Sequence, residues 1–469
     1  MMDKKALIET MARESFEKGG FNGAWLYAEN GAVVSKGTAG FRDPEGTQPV
    51  TEDTIFQLAS VSKQFTAAAV MLAVRKGLFG LEDEITQFFP ELGAYKGVTV
   101  RHLLTHTGGV PDYFDDADWF IDLWKKEDRV PGNDEVPRFL CETKLKPEFG
   151  PGEKFSYSNT GYNLLALLVE RRTGVPYEEF LQRNIFDPAG MTSTRCCHIR
   201  RDGIPFENFA RATVLEDDGT PAADVDSEDS RDVIAFDGVN GDDYVYTNLS
   251  DLLTWDRVLR EGKVLTPEEQ QLMYTPVQLP GGEPYDDGDG EGYGFGWSVI
   301  RDPSFGLIVC HSGGMPGVHT WFERFIDADR MLAILCNREE EDARAHAGFY
   351  DGLREIARDR EPKPIVTIEE IALKDPDKSK WESFCGKYEH PEDADFVIDE
   401  VWLADGELYA RAFDDDGDEL KFRLYPIGED QFGRKAGMVK LTFGDGCVTY
   451  IDTTCRKLAE QAADREPAE

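Results

Sequence analysis

Ser60 and Lys63 form a Ser-x-x-Lys pair whose spacing could support nucleophilic catalysis. A serine hydroxyl is a weak nucleophile at neutral pH and needs a base within hydrogen-bond reach. On a helix that begins at Ser60, Lys63 lies one turn further along the same face. Burial lowers the pKa of a lysine, so that its neutral amine can accept a proton. The pair predicts acyl transfer, although a helix-capping serine followed by a surface lysine has the same spacing.

Two later segments carry side chains that could complete such a site. Tyr157 and Asn159 follow a Gly-Pro-Gly turn, and a phenol can pass protons while an amide binds a carbonyl or the lysine. His311, Gly313 and Gly314 end an apolar strand. Glycine there allows the backbone to approach a substrate and to present an N–H to the carbonyl under attack. Taken singly, each segment is more often a loop anchor or a plain strand end.

The predicted elements around these residues run from helix and hairpin to a helical region and back to strands. An amphipathic pattern predicts an N-terminal helix, and Asn30-Gly31 between two apolar runs predicts a hairpin. Helix and turn signals dominate 100–260, strand signals return over 293–336, and a helix is expected near 343–358. This order predicts an α+β fold, with an antiparallel sheet flanked by helices and a helical lobe, rather than a wound parallel sheet.

A proline-punctuated stretch at 360–366 predicts a boundary between two domains. Short alternating segments separated by Asp-Gly turns follow it, such as 401–404 and 420–426. They are typical of a small antiparallel β-barrel. We therefore predict domains over 1–360 and 366–469, the second without an obvious catalytic grouping.

Composition limits the partners and the compartment. The chain has 90 acidic and 51 basic residues, a formal net charge of −39, which repels nucleic acid and anionic membrane and makes neither an expected partner. The sequence has no run of about 18 apolar residues that would span a bilayer, and no apolar leader follows the N-terminal lysines. The eight cysteines form no Cys-x-x-Cys pair, so buried free thiols in a cytoplasmic protein are the expectation.

In combination, the segments resemble the motifs of the β-lactamases and penicillin-binding proteins, in the order Ser-x-x-Lys, Tyr-x-Asn and His-x-Gly. The resemblance is to the branch that includes class C β-lactamases, D-alanyl-D-alanine carboxypeptidases, D-aminopeptidases and related esterases. Stretches 56–65, 100–110 and 149–159 resemble this family, and the similarity covers roughly residues 5–358. The segment after 366 is more loosely similar to the lipocalin-like β-domain of some members.

This resemblance implies catalytic roles for three residues. Ser60 would form an acyl-enzyme and Lys63 would take its proton, while Tyr157 would pass protons to the leaving group and help activate the deacylating water. The resemblance implies no metal or other cofactor. His102 and His106 are four residues apart but lack the glutamate of a His-Glu-x-x-His zinc motif.

The resemblance also implies the groups that would bind substrate. Asn159 would bind the substrate amide, and His311 and Gly313 would line the substrate strand. The N–H groups of Ser60 and Gly314 would form the oxyanion hole.

The third motif departs from the family's Lys-Thr-Gly, because a histidine, His311, replaces the lysine that meets a substrate carboxylate. Histidine is mostly neutral at pH 7, so acidic β-lactams should bind weakly. We expect a small ester, amide or D-amino-acid peptide as substrate, with at most weak β-lactamase activity. A catalytically weak ligand-binding or sensor protein on the same fold is the alternative. The chain could also form a homo-oligomer, which no motif decides.

Overall fold

A computed structural model describes most of the chain, and its helices and strands confirm the α+β class. The described residues are 3–216, 220–227, 230–288, 290–391, 394, 396–414, 419–437, 440–451 and 453–458.

Helices flank the sheets and fill the middle of the described chain. In chain order they are α1 (Lys4–Glu17), α2 (Lys63–Arg75), α3 (Val100–Leu104), α4 (Asp118–Glu127), α5 (Glu135–Thr143), α6 (Asn159–Thr173), α7 (Tyr177–Leu181), α8 (Asp187–Ala189), α9 (Ile199–Asp202), α10 (Leu249–Arg260), α11 (Pro267–Met273), α12 (Ala343–Ala357), α13 (Ile368–Ile371) and α14 (Trp381–Phe384). None of the helices in the described ranges is long and apolar enough to cross a bilayer.

The strands that precede α12 are β1 (Gly23–Glu29), β2 (Ala32–Ala39), β3 (Phe56–Gln57), β4 (Arg195–Cys196), β5 (Thr213–Leu215), β6 (Pro221–Ala223), β7 (Val245–Thr247), β8 (Glu291–Tyr293), β9 (Ser298–Asp302), β10 (Gly306–Met315), β11 (Val318–Phe325) and β12 (Arg330–Cys336). Seven of them form an antiparallel sheet in the order β2-β1-β12-β11-β10-β9-β8. The predicted hairpin is confirmed between β1 and β2, where Asn30 and Gly31 both have positive φ, +50° and +73°, as a type I′ turn requires.

Strand β1, in the interior of the seven-stranded sheet, is buried on both faces. Along β1, Trp25 and Tyr27 pack into the apolar cluster that contains residues of α1 and α12. The alternating residues Ala24, Leu26 and Ala28 belong instead to the larger cluster formed with the helical region. Because side chains alternate along a strand, this pattern makes the sheet the middle layer between two groups of helices.

The five other strands before α12 form two small sheets, β3-β7-β4 and β5-β6, and the strands after α12 form an eight-stranded sheet. They are β13 (Gly386–Lys387), β14 (Phe396–Ala404), β15 (Glu407–Asp414), β16 (Glu419–Pro426), β17 (Gln431–Gly433), β18 (Lys440–Gly444), β19 (Cys447–Tyr450) and β20 (Thr453–Arg456), and they pair in that order. The sheet curls into a half-barrel, and the Glu389 N–H donates to the Arg456 carbonyl at 2.8 Å beside its first and last strands. Trp381, Phe432 and Phe443 are among the side chains of its separate core. The expected small β-barrel is thus a curled eight-stranded sheet.

Candidate active site

Ser60 lies in a tight 3-10 turn, Ala59–Ser62, and α2 begins only at Lys63. The sequence predicts a helix beginning at Ser60, whereas in the structure Ser60 lies in a 3-10 turn that continues directly into α2. Ala59, the residue before Ser60, has φ +47°. An alanine in the left-handed region carries backbone strain, and such strain is concentrated at functional sites. The turn follows β3 closely, and Ser60 lies on the wall of a cavity.

The amine of Lys63 is held by three oxygen acceptors. Its Nζ lies 3.0 Å from Ser60 Oγ, 2.7 Å from Asn159 Oδ1 and 3.2 Å from the carbonyl oxygen of Asp242. The residue is fully buried, and none of these three acceptors carries a full charge. The three acceptors match the three donors of an ammonium group. In the neutral amine two N–H donors remain, and the lone pair can be directed along the 3.0 Å contact to accept the Ser60 proton.

Asp112 fixes the orientation of Asn159. Its Oδ2 accepts hydrogen bonds from the Asn159 backbone N–H at 2.7 Å and from Nδ2 at 2.9 Å. The Asn159 amide therefore has its Oδ1 directed toward Lys63. Burial raises the pKa of Asp112 to about 6, although hydrogen bonds from the backbone N–H groups of Asn159 and Phe114 oppose the shift.

Asp242 supports the same lysine from the other side. Its backbone carbonyl accepts from Lys63, while its carboxylate accepts from Tyr113 Oη at 3.0 Å and Asn163 Nδ2 at 2.5 Å. Burial raises the pKa of this carboxyl to about 6, against the lowering effect of the Lys63 charge. No motif in the sequence distinguished Asp112 or Asp242 from the other acidic residues, because both lie in loops whose positions depend on tertiary packing.

Replacing Asp112 by asparagine should lower kcat by roughly 10- to 100-fold, because a displaced Asn159 amide no longer positions Lys63. If the amide oxygen of an asparagine accepts both hydrogen bonds from Asn159, its NH₂ group faces the Phe114 N–H, which donates to Asp112 Oδ1 in the native chain. Two donors then face each other. Steady-state hydrolysis of p-nitrophenyl acetate measures the effect. Asp115→Asn, a change at an exposed neighbour, is the matched control and should leave kcat unchanged. Equal kcat in the two variants would contradict a positioning role for Asp112.

Tyr157 lies beside Ser60 on the cavity wall, with 37% of its surface exposed. Its ring stacks on His106 with centroids 4.3 Å apart, and Lys63 Nζ lies 4.8 Å from the ring centroid. His106 also holds the adjacent backbone, because its Nδ1 accepts from the Ser158 N–H at 3.0 Å. Within the described part of the chain the Tyr157 hydroxyl has no hydrogen-bond partner, so it faces the cavity free to meet a substrate.

His311 is buried and neutral at physiological pH. Burial, with a smaller effect of the Lys63 charge, lowers its pKa to about 4. Its Nδ1 lies 2.6 Å from the Ser312 carbonyl, which can only accept, so Nε2 accepts from Tyr293 Oη at 3.0 Å. The site therefore has no cation at the position where the related motif has lysine.

Among the described residues, no strand pairs with the β9 side of β10 beyond Cys310, which leaves a strand edge beside the cavity. Strand β9 pairs with β10 only as far as Cys310, opposite Ser298. Ser312 and Gly314 beyond that point line the cavity. Gly313 does not line it: a Cβ at this residue would lie 2.3 Å from the Leu58 carbonyl oxygen. Its glycine is needed for the close approach of β10 to the Ser60 turn.

The cavity beside Ser60 has a volume of about 360 Å³. Its lining combines an aromatic wall, two carboxylates and the free strand edge. The lining residues are Ser60, Phe155, Tyr157, Tyr285, Asp287, Glu291, Gly292, Tyr293, Ser298, His311, Ser312 and Gly314. Phe155 and Tyr285 stack face to face with centroids 4.0 Å apart. The sequence motifs predicted four of these twelve residues, namely Ser60, Tyr157, His311 and Gly314. Most of the others, including Tyr285, Asp287, Glu291 and Tyr293, lie in the 285–298 segment, which contains no motif.

Comparison with known proteins agrees with this geometry. The chain matches the β-lactamase family model over residues 8–353. It is 32% identical over 453 residues to penicillin-binding protein 4* of Bacillus subtilis, covering 94% of each chain. Its fold is similar to that of an octameric penicillin-binding protein homologue from Pyrococcus abyssi, with a TM-score of 0.65, 22% identity and coverage of 96% and 99%. A D-amino acid amidase from Ochrobactrum anthropi SV3 gives a TM-score of 0.59, with 22% identity and coverage of 76% and 97%. The chain belongs to the β-lactamase family of serine hydrolases, together with its penicillin-binding-protein relatives.

Proposed function

We propose that the protein hydrolyses its substrate through an acyl-enzyme on Ser60. The observation that carries this proposal is the 3.0 Å contact between Lys63 Nζ and Ser60 Oγ. In its neutral form Lys63 takes the hydroxyl proton while Oγ bonds to the substrate carbonyl carbon. The N–H groups of Ser60 and Gly314 bind the resulting oxyanion. Tyr157 then gives its phenolic proton to the leaving group as the bond between that group and the carbonyl carbon breaks, and it regains a proton from the Lys63 ammonium. In the second half of the reaction water adds to the acyl carbon and passes a proton through Tyr157 to Lys63. The bond from that carbon to Ser60 Oγ then breaks as Oγ takes the proton back, which releases the acid.

The free edge of β10 supports the proposed mode of substrate binding. An extended substrate that lies along the edge at Ser312 would form backbone hydrogen bonds as an added strand. Its carbonyl would then meet Ser60, and its amide would reach Asn159, which faces Lys63. His311 would line the same edge as a neutral group. Gly313 would hold this part of β10 close to the turn that contains Ser60.

We propose as substrates small amides, esters or short D-amino-acid peptides that carry a free ammonium group. Asp287 and Glu291 place negative charge on the cavity lining, and Tyr285 and Phe155 add aromatic faces. Carboxylates and aromatic faces both attract an ammonium ion. The neutral His311 gives no attraction to a substrate carboxylate. The protein of similar fold from Ochrobactrum anthropi SV3 is a D-amino acid amidase, which is consistent with this class.

A panel of alanine p-nitroanilides tests the substrate class. We expect kcat/KM for D-alanine p-nitroanilide to exceed that of its N-acetyl derivative and of the L-enantiomer by about 10-fold or more, and nitrocefin turnover to be slow. Glu291→Gln should reduce the preference for the free amine about 5-fold, a loss of roughly 1 kcal/mol for one partly exposed charge pair. Glu283→Gln, at an exposed residue outside the cavity lining, is the control. Equal rates for the free and acetylated amines would contradict the substrate class, and acylation without turnover would favour the sensor alternative.

We also propose that 1–360 and 366–469 are separate domains, that the chain forms a homo-oligomer, and that it resides in the cytoplasm. The separate core of the C-terminal sheet supports the division into two domains. The octameric state of the Pyrococcus abyssi homologue supports a homo-oligomer. The eight cysteines are all unpaired, and free thiols support a reducing compartment such as the cytoplasm. Light scattering gives the assembly mass in multiples of 52.7 kDa, limited proteolysis tests cleavage at 360–366, and fractionation of the source cells tests the compartment.

A further inference from the structure

Two histidines and a glutamate converge beside the hairpin of β10 and β11, outside the cavity. His319 is on β11, His346 is on α12, and Glu340 is in the segment between β12 and α12. One donor atom from each lies within 4.8 Å of the other two, and His319 Nε2 is 3.4 Å from Glu340 Oε2. All three residues are partly buried. We propose that these side chains form a binding site for one divalent transition-metal ion of the Zn²⁺ class.

The hydrogen bonding of His346 prepares one ring nitrogen for a metal. Its Nδ1 lies 2.9 Å from the carbonyl oxygen of Gly20. A carbonyl can only accept, so Nδ1 carries the proton and Nε2 of the neutral ring carries the lone pair. In the described part of the chain, Nε2 has no hydrogen-bond partner. A histidine whose other nitrogen donates to a backbone carbonyl is the usual arrangement of a zinc ligand.

The donor set and its spacing suit Zn²⁺. Two imidazoles and one carboxylate are a common set of three protein ligands, with water in the fourth position. Zinc–nitrogen bonds of about 2.0 Å in a tetrahedron place donor atoms about 3.4 Å apart. The His319–Glu340 separation already has that value, and the wider separations need a closure of little more than an ångström. Rotation of the His319 side chain, which is 38% exposed, can bring the donor atoms closer by that distance.

The bound ion would connect the hairpin of β10 and β11 to α12. His319 is the register partner of Gly314 on β10 and of Cys336 on β12. A metal held by His319 and His346 would therefore link the strand next to Gly314 to α12. Glu340 would add the segment that leads into the helix. Metal binding itself does not depend on hydrolysis at Ser60, so the proposal and the proposed function fail independently.

Titration of the chelator-treated, untagged full chain with Zn²⁺ in a calorimeter tests the site. We expect one ion per chain with micromolar or tighter affinity. Co²⁺ should give visible absorption bands without the near-ultraviolet charge-transfer band of a cobalt–thiolate bond. The double change His319→Gln with His346→Gln should weaken Zn²⁺ binding at least 100-fold. Glu340→Gln, a milder change near the surface, should weaken it about 10-fold.

His390→Gln provides the matched control, because His390 also contacts a carboxylate, with Nε2 3.1 Å from Asp399 Oδ1, but has no second histidine beside it. Circular dichroism establishes that each variant is folded. Binding that persists in the folded double variant, a cobalt–thiolate band, or no binding to the native chain would each overturn the proposal. Loss in both ligand variants with retention in His390→Gln would support it.

Discussion

Ser60→Ala is expected to lower kcat/KM for p-nitrophenyl acetate by roughly 10⁴-fold or more, because removal of a nucleophile removes most of the rate enhancement of a serine hydrolase. The only hydrogen bond to Ser60 Oγ among the described residues comes from Lys63. Because Ser60 lines the cavity, water can accept from Lys63 in place of the lost hydroxyl, and the free energy of unfolding should change by less than about 1 kcal/mol. Hydrolysis rates and a denaturant titration measure the two quantities on the same preparation.

Ser62→Ala is the matched control, two residues along the same turn. Ser62 Oγ is buried and accepts a hydrogen bond from the Val245 N–H at 3.1 Å. Its loss leaves a buried donor unpaired and should cost about 1 to 3 kcal/mol of stability. Hydrolysis should survive at a temperature where this variant is folded. Activity of Ser60→Ala within tenfold of the native rate would contradict the assignment of the nucleophile.

Lys63→Met should slow formation of the acyl-enzyme by roughly 10³-fold, within the range of general base catalysis. Methionine keeps an unbranched side chain in the same buried space but cannot accept the Ser60 proton. The change also removes the donor to Asn159 and to the Asp242 carbonyl, so the rate measures the loss of both the base and its alignment. The pre-steady-state burst of p-nitrophenol reports acylation separately from release of the acyl group.

Lys76→Met, directly after α2 and exposed, controls for loss of a positive charge. Its amine contacts Asn184 Oδ1 at 2.7 Å on the surface and lies outside the cavity lining. The burst rate of this variant should match that of the native protein. A burst of native rate and amplitude in Lys63→Met would show that another group accepts the serine proton.

The sequence predicted the residues of the site that belong to motifs with a chemical reason for their spacing. Lys63 could be linked to Ser60 because the two residues are three positions apart, which is about one helical turn. The hairpin at Asn30-Gly31 was predictable because the turn needs positive φ at both residues. The curled C-terminal sheet followed from its alternating strands. Each of these predictions rests on local chemistry, which a single sequence contains.

The parts that the sequence did not reveal depend on long-range packing. Asp112 and Asp242 contact Asn159 and Lys63 only because distant loops converge on α2 and α6. Ser60 lies in a 3-10 turn that begins at the strained Ala59. The spacing of apolar residues cannot distinguish such a turn from the first turn of an α-helix. The acidic lining residues Asp287 and Glu291, with Tyr285 and Tyr293, likewise come from a segment with no recognisable spacing.

Intact-mass measurement after reaction with a fluorophosphonate, followed by peptide mapping, tests the central claim most directly. The reagent transfers its phosphonyl group to an activated serine oxygen and releases fluoride, so it reports the reactivity that contact with Lys63 should give. We predict one adduct per chain, located on Ser60. An unmodified chain under conditions that label a known serine hydrolase, or an adduct on a different serine, would contradict the account.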